Sequence, residues 1–293
     1  MTTTTPFSLR IFVVDGDPDG LRLVERSNWI GKAVVFPRTL LPSIKKRDEF
    51  NQTGVYLLLG PRNDGEGEKL YIGEGDPVRD RLESHYAKKD FWTHAVFFVA
   101  GQGQLNKAHV QLLETRLIQL AKAAKRMTLD NGNQPTEPTL SEADRADMQV
   151  FLDNMLGMLP VLGVHAFEQV STHVAETKTA LLTCRGKGIS ASGYEATQGF
   201  VVKAGSQAAG ETVPSMQQHV RGMYDLRLEL ISNGVLQTDN GNYRFTQDYA
   251  FKSPSTAAAV VLGRSSNGRI DWKDASGKTL KELQEREAGE IST

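Results

Sequence analysis

Apolar residues in the first half of the chain fall into short runs separated by turn-forming residues. Three runs rich in Val, Leu, Ile and Phe, which are typical of β-strands, lie at residues 55–59, 69–72 and 92–100. A Gly- and Asp-rich stretch joins the first two runs, and this predicts a hairpin. From Leu105 to Lys125, apolar residues recur at three- and four-residue spacings, which predicts a long amphipathic helix.

A shorter helix is expected between the second and third predicted strands. Asp76 and Pro77 are typical of an N-cap and a first helical position, and the helical pattern runs to about Tyr86. Residues 51–133 are therefore predicted to form a β-β-α-β-α unit. Residues 7–50 precede it as a β-rich N-terminal accessory segment. Its predicted elements are strands at 9–14 and 33–36 and a short helix at 41–50.

The second half of the chain begins with a connecting region, residues 139–178. Ser141 and Asp144 resemble a capping box, with Asp in place of Glu, at the start of a helix that stops at Pro160. A polar stretch at 171–178 is poor in large apolar residues and indicates a linker.

A C-terminal domain with a mixed α+β pattern is predicted at residues 179–285. Asn240-Gly241 lies between two apolar runs and predicts a hairpin turn. The other predicted elements are strands at 179–184, 200–202 and 270–273, a Gly/Ser-rich connection at 185–193, helices within 213–233 and an Ala-rich helix at 256–262. The last residues, 286–293, are expected to be a charged tail.

Length and composition indicate two or three ordinary globular domains. The chain has 293 residues, of which 39% are hydrophobic and 24% charged. A formal net charge of -1 argues against a large non-specific footprint on nucleic acid. It leaves room for a local basic cleft, because binding depends on where the Lys and Arg side chains lie.

Cysteine usage and hydropathy exclude several other classes of protein. Cys184 is the single cysteine of the sequence, so neither an internal disulfide nor a thiolate zinc finger can form. The apolar runs are too short to span a bilayer, which predicts no membrane partner. With no signal-peptide pattern at the start, we expect a cytoplasmic protein.

The chemistry-bearing residues lie within the β-β-α-β-α unit. Gly54-Val55-Tyr56 falls on the first predicted strand and Tyr71-Ile72-Gly73 on the second. Arg81 and His85 follow at i and i+4, so they share one face of the short helix. Glu114 lies in the long helix after the third strand.

This order of residues resembles the GIY-YIG endonuclease family over residues 50–133. The resemblance implies a small three-stranded antiparallel sheet flanked by helices, and cleavage of nucleic acid, with DNA favoured over RNA. It also implies that Glu114 binds a divalent cation. Mg²⁺ is expected there because it prefers oxygen ligands and keeps several waters, with Mn²⁺ as an alternative. The family places an Asn after the Glu helix, where Asn131 and Asn133 both qualify and Asn131 is preferred.

Phosphodiester hydrolysis assigns a task to each of these residue types. The planar fork of Arg81 suits non-bridging phosphate oxygens. Tyr56 and Tyr71 would orient the attacking water, and one of them would act as base, helped by His85 or by hydroxide held on the metal. A tyrosine has an ordinary pKa of about 10, so it needs nearby positive charge to act as a base at neutral pH.

Charged residues around the motif add to the hypothesis and complicate it. Glu74 and Asp76 would repel a phosphate unless they face away or assist metal binding. Lys88 and Lys89 could contact the nucleic-acid backbone, and Trp92 could offer a stacking surface. The structural alternative is a solvated lysine pair and a tryptophan in the core.

The C-terminal domain resembles a domain of unknown function that is often found C-terminal to GIY-YIG nucleases and in restriction-type proteins. The stretches that carry this resemblance are residues 199–206, 251–258 and 267–273. The resemblance implies a nucleic-acid targeting role. Ser253 and Ser255 could bind a phosphate at a helix N-terminus, and positive charge would come from Arg264, Arg269 and Lys273. The structural alternative is a capped helix with Trp272 in the core.

The sequence therefore predicts a metal-dependent endonuclease with an accessory domain. The alternative is a catalytically idle or partner-dependent nucleic-acid-binding module within a defence or repair assembly. A monomer with one such site would cut one strand per event, so duplex cleavage would require dimerisation or two encounters.

Overall fold

A computed structural model describes residues 6–62, 67–101, 103–132, 135–168, 181–186, 188–197 and 199–291. The chain divides into two compact units, Met1–Glu168 and Gln169–Thr293, and each is described by itself. The predicted linker at 171–178 and the alternative site residue Asn133 lie outside the described residues.

The described residues of the first unit form a seven-stranded sheet. Its strands are β1 (Leu9–Val13), β2 (Arg22–Arg26), β3 (Gly31–Pro37), β4 (Gly54–Pro61), β5 (Glu68–Gly75), β6 (His94–Ala100) and β7 (Thr128–Leu129). The strand order is β1-β2-β3-β6-β4-β5-β7, and every pair is antiparallel except β5 with β7. The three strands that the hydrophobic runs predicted, β4, β5 and β6, are adjacent in this sheet. The N-terminal segment extends it with β1 to β3.

Helices cover both faces of this sheet. They are α1 (Leu41–Ile44), α2 (Val78–Lys88), α3 (Lys107–Ala124) and α4 (Glu142–Met158). One face packs against α2 in a core that includes Leu58 and Leu82, and the other packs against α3 and α4 in a core that includes Leu57 and Leu117. Residues 54–60 of β4 are all buried because both faces of that strand are covered.

Local predictions in this unit needed three corrections. The helix expected at 41–50 is only the short α1, flanked by 3₁₀ turns, because Arg47 is extended and its guanidinium turns to Glu49. Strand β2 was missed because its charged sequence hides the alternation. Asp76 does not cap α2; Pro77 holds the N-cap position, and the Asp76 carboxylate instead accepts a hydrogen bond from Thr53 at 2.6 Å.

The described residues of the second unit form two antiparallel sheets. One has the order β14-β10-β9-β8-β15 and the other β11-β13-β12. Their strands are β8 (Leu182–Gly186), β9 (Ile189–Ala196), β10 (Gly199–Val202), β11 (Gln207–Ala208), β12 (Leu236–Asp239), β13 (Asn242–Phe245), β14 (Tyr249–Phe251) and β15 (Trp272–Lys273). The predicted hairpin turn is confirmed: Asn240 and Gly241, both at positive φ, join β12 to β13.

The helices of the second unit are α5 (Pro214–His219), α6 (Arg221–Ser232), α7 (Pro254–Leu262), α8 (Gly268–Asp271) and α9 (Leu280–Ile291). The Ala-rich α7 forms the centre of the core, since residues 257–262 are all buried. Its small side chains allow the strands and helices around it to pack closely. The fold class is α+β, as predicted.

Three predictions in the second unit were wrong. The Gly/Ser-rich stretch at 185–193 is mostly strand, because β9 is hydrogen-bonded on both sides, to β8 and β10. The strand expected at 270–273 begins as α8, which Asn267 caps through a hydrogen bond to Arg269 N. The expected charged tail belongs to α9 as far as Ile291, since Leu280 and Leu283 anchor that helix in the core.

Truncating Ile118 on α3 should destabilise the first unit. Ile118 is 0% exposed, so Ile118→Ala leaves a cavity that should cost about 2–5 kcal/mol of unfolding free energy. Ile30 is 64% exposed and provides the matched control, with Ile30→Ala expected within about 0.5 kcal/mol of wild type. Chemical denaturation measures both variants, and equal losses would contradict this packing.

Candidate active site

The predicted site residues lie along the part of strand β5 that is no longer paired with strand β7. Among the described strands, β7 pairs with β5 only at Lys69 and Leu70. Beyond that point the side-chain amide of Asn131 takes over, because its Nδ2 donates to Ile72 O at 2.7 Å and its Oδ1 accepts from Ile72 N at 3.0 Å. Asn131 therefore holds the backbone of the Tyr71-Ile72-Gly73 triplet, and this amide is committed to main chain.

The two motif tyrosines and His85 form an aromatic cluster on one face of the sheet. Tyr56 pairs with Gly73 and Leu58 with Tyr71, which places the tyrosines diagonally across β4 and β5. Their ring centroids are 6.3 Å apart, and the His85 ring lies 5.6 Å from Tyr56 and 4.7 Å from Tyr71. Tyr56 Oη is 2.8 Å from His85 Nε2.

Close contacts explain the glycines at positions 73 and 75 of β5. A Cβ added at Gly73 would lie 2.3 Å from the Tyr56 hydroxyl, so residue 73 has no room for a side chain. At Gly75, an added Cβ would approach the backbone of Val78 to 2.7 Å and the Arg81 side chain to 3.1 Å. Gly73 therefore leaves room for the Tyr56 side chain over β5, and Gly75 allows α2 to begin close to this strand.

Arg81 and Glu114 reach this strand edge from opposite faces of the sheet. Arg81 lies on α2 one turn before His85 and is exposed, whereas Glu114 lies on α3 and is half-buried. The charges of the two side chains affect each other, and Glu114 also acts on Tyr56. The structure therefore brings Tyr56, Tyr71, Arg81, His85 and Glu114 to one place.

The carboxyl of Glu114 is poised between its protonated and ionised forms. Burial, reinforced by the charge of Glu74, raises the pKa of Glu114 to about 7, against the opposing effect of Arg81 and Lys107. Glu74 itself is held by Lys107, whose Nζ lies 2.6 and 2.7 Å from its two oxygens. Among the described residues, Glu114 has no hydrogen-bond or ion-pair partner.

Burial has the opposite effect on the two groups that share the central hydrogen bond. It raises the pKa of Tyr56 far above neutrality, an effect to which Tyr71 adds. It lowers the pKa of His85 to about 4, with further lowering by Lys89 and Arg81. Both groups are therefore neutral at pH 7, and in the tautomer with Nε2 unprotonated the Tyr56 hydroxyl donates to His85. The expectation that a tyrosine acts as base does not suit Tyr56 in this environment.

The donor set is compatible with a weakly coordinated Mg²⁺. Within the part of the chain that the structure describes, no group of three or more His, Cys, Asp and Glu side chains could hold a metal. Mg²⁺ nonetheless binds commonly through one or two carboxylates together with waters and substrate phosphates. The uncommitted carboxylate of Glu114, close enough to Glu74 to feel its charge, fits that pattern.

The two acids that seemed unfavourable for a phosphate site are both engaged. Lys107 pairs with Glu74, and Thr53 donates to Asp76. The lysine is the first residue of α3 and was not recognised from the sequence. Glu74 therefore contributes less negative charge to the site than the sequence suggested.

The predicted nucleic-acid contacts beside α2 differ in their surroundings. Lys88 is exposed at the helix end. Lys89 contacts the Asp130 carboxylate, and its Nζ lies 4.4 Å from the Tyr71 ring centroid. Trp92 is buried against Phe36 and Tyr86, so it belongs to the core and offers no stacking surface.

Sequence reasoning missed Lys69 and Asp130, which adjoin the cluster. Lys69 precedes Tyr71 by two residues on β5, and alternation along a strand puts both on one face. This two-residue alternation could have placed Lys69 next to Tyr71 from the sequence alone. Asp130 had no comparable signal, because its approach to Lys69 and Lys89 depends on where the chain returns after α3.

The proposed phosphate site at the start of α7 is filled by the protein itself. Ser253 Oγ accepts from Thr256 N at 3.1 Å, and Ser255 Oγ accepts from Gly268 N at 3.0 Å. The Trp272 indole donates to Pro254 O at 3.1 Å, and its ring is fully buried. The structural alternative, a capped helix with a tryptophan in the core, is the one observed.

The basic residues predicted for this domain are partly engaged as well. Arg264 pairs with Asp271 at 3.2 Å, and Arg269 donates to Gln284 at 2.9 Å. Lys273 is exposed on β15. Arg264 and Arg269 are thus engaged within the domain, and the role of the three residues in binding nucleic acid stays a prediction.

Comparison with known proteins gives one match. Residues 182–284 are similar to a family described as Domain of unknown function (DUF4357), a range that lies within the predicted C-terminal domain. No curated protein matches the chain, and no solved structure does. None of the helices in the described part of the chain is long and apolar enough to cross a membrane.

Replacing Gly73 should disturb the site through Tyr56. Gly73→Ala puts a methyl group where the Tyr56 hydroxyl lies, so we expect a loss of about 1–3 kcal/mol in unfolding free energy. Gly132→Ala is the control, since nothing lies within 4 Å of an added Cβ there. Chemical denaturation of both variants measures the effect, and a Gly73→Ala protein as stable as Gly132→Ala would refute the close approach.

The raised pKa of Glu114 predicts a pH dependence of stability in metal-free buffer. Because the folded-state pKa of about 7 exceeds the ordinary value of 4.5, Glu114 favours folding below about pH 4.5, and this contribution is lost as pH rises to about 7. Relative to Glu114→Gln, wild type should therefore lose unfolding free energy across that window. Urea denaturation at stepped pH measures the difference.

Glu83 is the matched control for this titration. Its hydrogen bond to Lys45 lowers its pKa, so the difference between wild type and Glu83→Gln should have the opposite sign, with stability lost as pH falls. If the difference in unfolding free energy between wild type and Glu114→Gln does not change with pH, Glu114 is not desolvated in the folded protein.

Proposed function

We propose that this protein is a divalent-metal-dependent endonuclease of the GIY-YIG type that hydrolyses phosphodiester bonds in DNA. The observation that carries the proposal is the convergence of Tyr56, Tyr71, Arg81, His85 and Glu114 at one edge of β5. These residues come from two strands and two helices. Packing alone does not require an arginine, a histidine and an unpaired carboxylate at the same edge.

Arg81 is suited to hold the scissile phosphate. Its guanidinium is exposed and presents a planar fork to non-bridging oxygens. A guanidinium is protonated at any working pH, so the positive charge of Arg81 is secure. Arg81 would bind the phosphate in the ground state and offset charge that develops on it in the transition state.

Tyr56, Tyr71 and His85 are suited to handle the attacking water. Tyr71 is half-buried beside His85, where its hydroxyl can orient a water from the solvent side. A neutral His85 has an unprotonated ring nitrogen next to Tyr56 and can accept a proton through that hydroxyl. This relay places the basic group on His85 instead of on a buried tyrosinate.

Glu114 is suited to hold the cation. Bound Mg²⁺ would supply Lewis-acid stabilisation of charge on the phosphate and the leaving oxygen. Glu114 would offer its carboxylate, while Lys107 offsets part of the charge of the neighbouring Glu74. Mn²⁺ is the expected substitute, and the cytoplasm is the proposed compartment.

The test is cleavage of supercoiled plasmid DNA in Mg²⁺ or Mn²⁺. Wild type should nick or linearise the plasmid, and Glu114→Ala and Arg81→Ala should each lower the rate by about 100-fold or more. Arg79→Ala is the matched control on the same helix, because Arg79 donates to Asn51 and Asp80 away from the cluster. It should cut at nearly the wild-type rate.

Other outcomes of this assay decide against the assignment. Equal cleavage by wild type and Glu114→Ala would mean that the activity belongs to another site or to a contaminant. Absence of cleavage in wild type, with DNA still bound in a filter or anisotropy assay, would favour the catalytically idle or partner-dependent binding module. RNA in parallel reactions separates the two substrates.

A further inference from the structure

Two lysines and one aspartate form a charged cluster beside Tyr71, and Lys89 of this cluster also lowers the pKa of His85. Lys69 on β5 has its Nζ 2.5 Å from Asp130 Oδ1, and Lys89 contacts Asp130 Oδ2. Each lysine also lies on an aromatic face: Lys69 Nζ is 4.8 Å from the Phe91 centroid, and Lys89 Nζ is 4.4 Å from the Tyr71 centroid.

The cluster is built from fixed parts of the fold. Arg38 donates to Lys89 O at 3.1 Å and to Tyr86 O at 2.7 Å. These hydrogen bonds fix the backbone at the C-terminal end of α2, including that of Lys89. Asp130 N donates to Leu70 O at 2.8 Å, which holds the aspartate against β5. The three charged side chains are each only about a fifth to a quarter exposed, at 23%, 24% and 19%.

The charges of this cluster do not cancel. Two ammonium groups share one carboxylate, which leaves a surplus of one positive charge in a partly desolvated place. The lysines lower the pKa of Asp130 against the effect of burial, so the carboxylate stays ionised and keeps both ammoniums in position. Each ammonium group has three donors and remains partly exposed, so donors are left for a second anion.

The position of the cluster relative to Tyr71 identifies that anion. Lys69 and Tyr71 lie on the same face of β5, two residues or about 7 Å apart. Arg81, the proposed phosphate clamp, lies on the other side of the tyrosines, near Gly75. A strand whose scissile phosphate rests at Arg81 and the tyrosines would continue along β5 and present its next phosphates to the lysine pair.

We propose that Lys69 and Lys89, oriented by Asp130, form a second phosphate site that grips the DNA backbone next to the scissile phosphate. This inference rests on the proposed nuclease function and adds to it a fixed anchor on one side of the cut. The two lysines position the substrate, and Asp130 acts on the substrate only through them.

The test is the salt dependence of DNA binding by the full chain without metal. A fluorescein-labelled duplex of about 30 base pairs is titrated in EDTA at several salt concentrations, so that cleavage plays no part. Lys69→Gln and Lys89→Gln should each weaken binding about threefold or more near 100 mM salt. Each should also make the plot of log affinity against log salt shallower by about one unit.

Matched variants separate this effect from general charge loss and from misfolding. Lys122 is an exposed lysine on α3, which packs on the opposite face of the sheet, and Lys122→Gln should leave the slope unchanged. Lys69→Arg and Lys89→Arg keep the charge and should retain the wild-type slope. Asp130→Asn keeps both lysines and removes the negative charge between them, so the slope should stay at least as steep as in wild type.

The outcomes distinguish this inference from the proposed function. Suppose that wild type binds and cuts DNA, but that Lys69→Gln and Lys89→Gln have the wild-type slope of log affinity against log salt. The inference of a second phosphate site is then wrong, and the nuclease assignment stands. A slope that falls equally in Lys122→Gln would also overturn the site, because the effect would then be one of overall charge. Wild type that neither binds nor cuts DNA would refute the proposed function, and the second site with it.

Discussion

The contact of Tyr56 with Gly73 across β4 and β5 is the constraint on which the site depends. The hydroxyl of Tyr56 occupies the space of a side chain at residue 73 and from there reaches His85 at 2.8 Å. A one-residue slip of β5 would turn its side chains to the opposite faces and remove this alignment. Strand β4, which is buried on both faces and pairs with both β5 and β6, holds this register in place.

Desolvation sets the chemical state of each group around that contact. The interior cluster of Tyr56 and His85 is neutral because burial disfavours tyrosinate and imidazolium alike. Charge is confined to the strand edge, where Arg81 is exposed and Glu114 is half-buried. Burial leaves the Glu114 carboxyl near its point of half-ionisation, so a nearby cation would readily favour the ionised form. The site thus combines a neutral interior, formed by Tyr56 and His85, with a charged edge formed by Arg81 and Glu114. In the proposed function the interior transfers the proton and the edge binds the phosphate and the cation.

The C-terminal unit shows how motif-like residues can serve the fold. Ser253, Ser255 and Trp272 all satisfy polar groups around the start of α7, and the close approach of Gly268 to Pro254 leaves no room for a side chain. Ser253 satisfies a backbone donor at the start of α7 itself, whereas Ser255 accepts from Gly268 N and Trp272 donates to the Pro254 carbonyl. These residues lie within the range, 182–284, that is similar to a domain of unknown function.

The sequence by itself determined the strands β4, β5 and β6, the long helix α3, the α+β class and the set of residues on the motif. Those features depend on local periodicity, turn residues and i, i+4 spacing, which are properties of neighbouring positions. Tertiary structure alone decided the rest. It joined the N-terminal strands to the same sheet, made residues 189–196 a strand paired with both β8 and β10, and brought Asp130 between Lys69 and Lys89. It also decided that Tyr56 and Trp92 are buried, and so which groups are neutral, because desolvation depends on what packs over a side chain from distant parts of the chain.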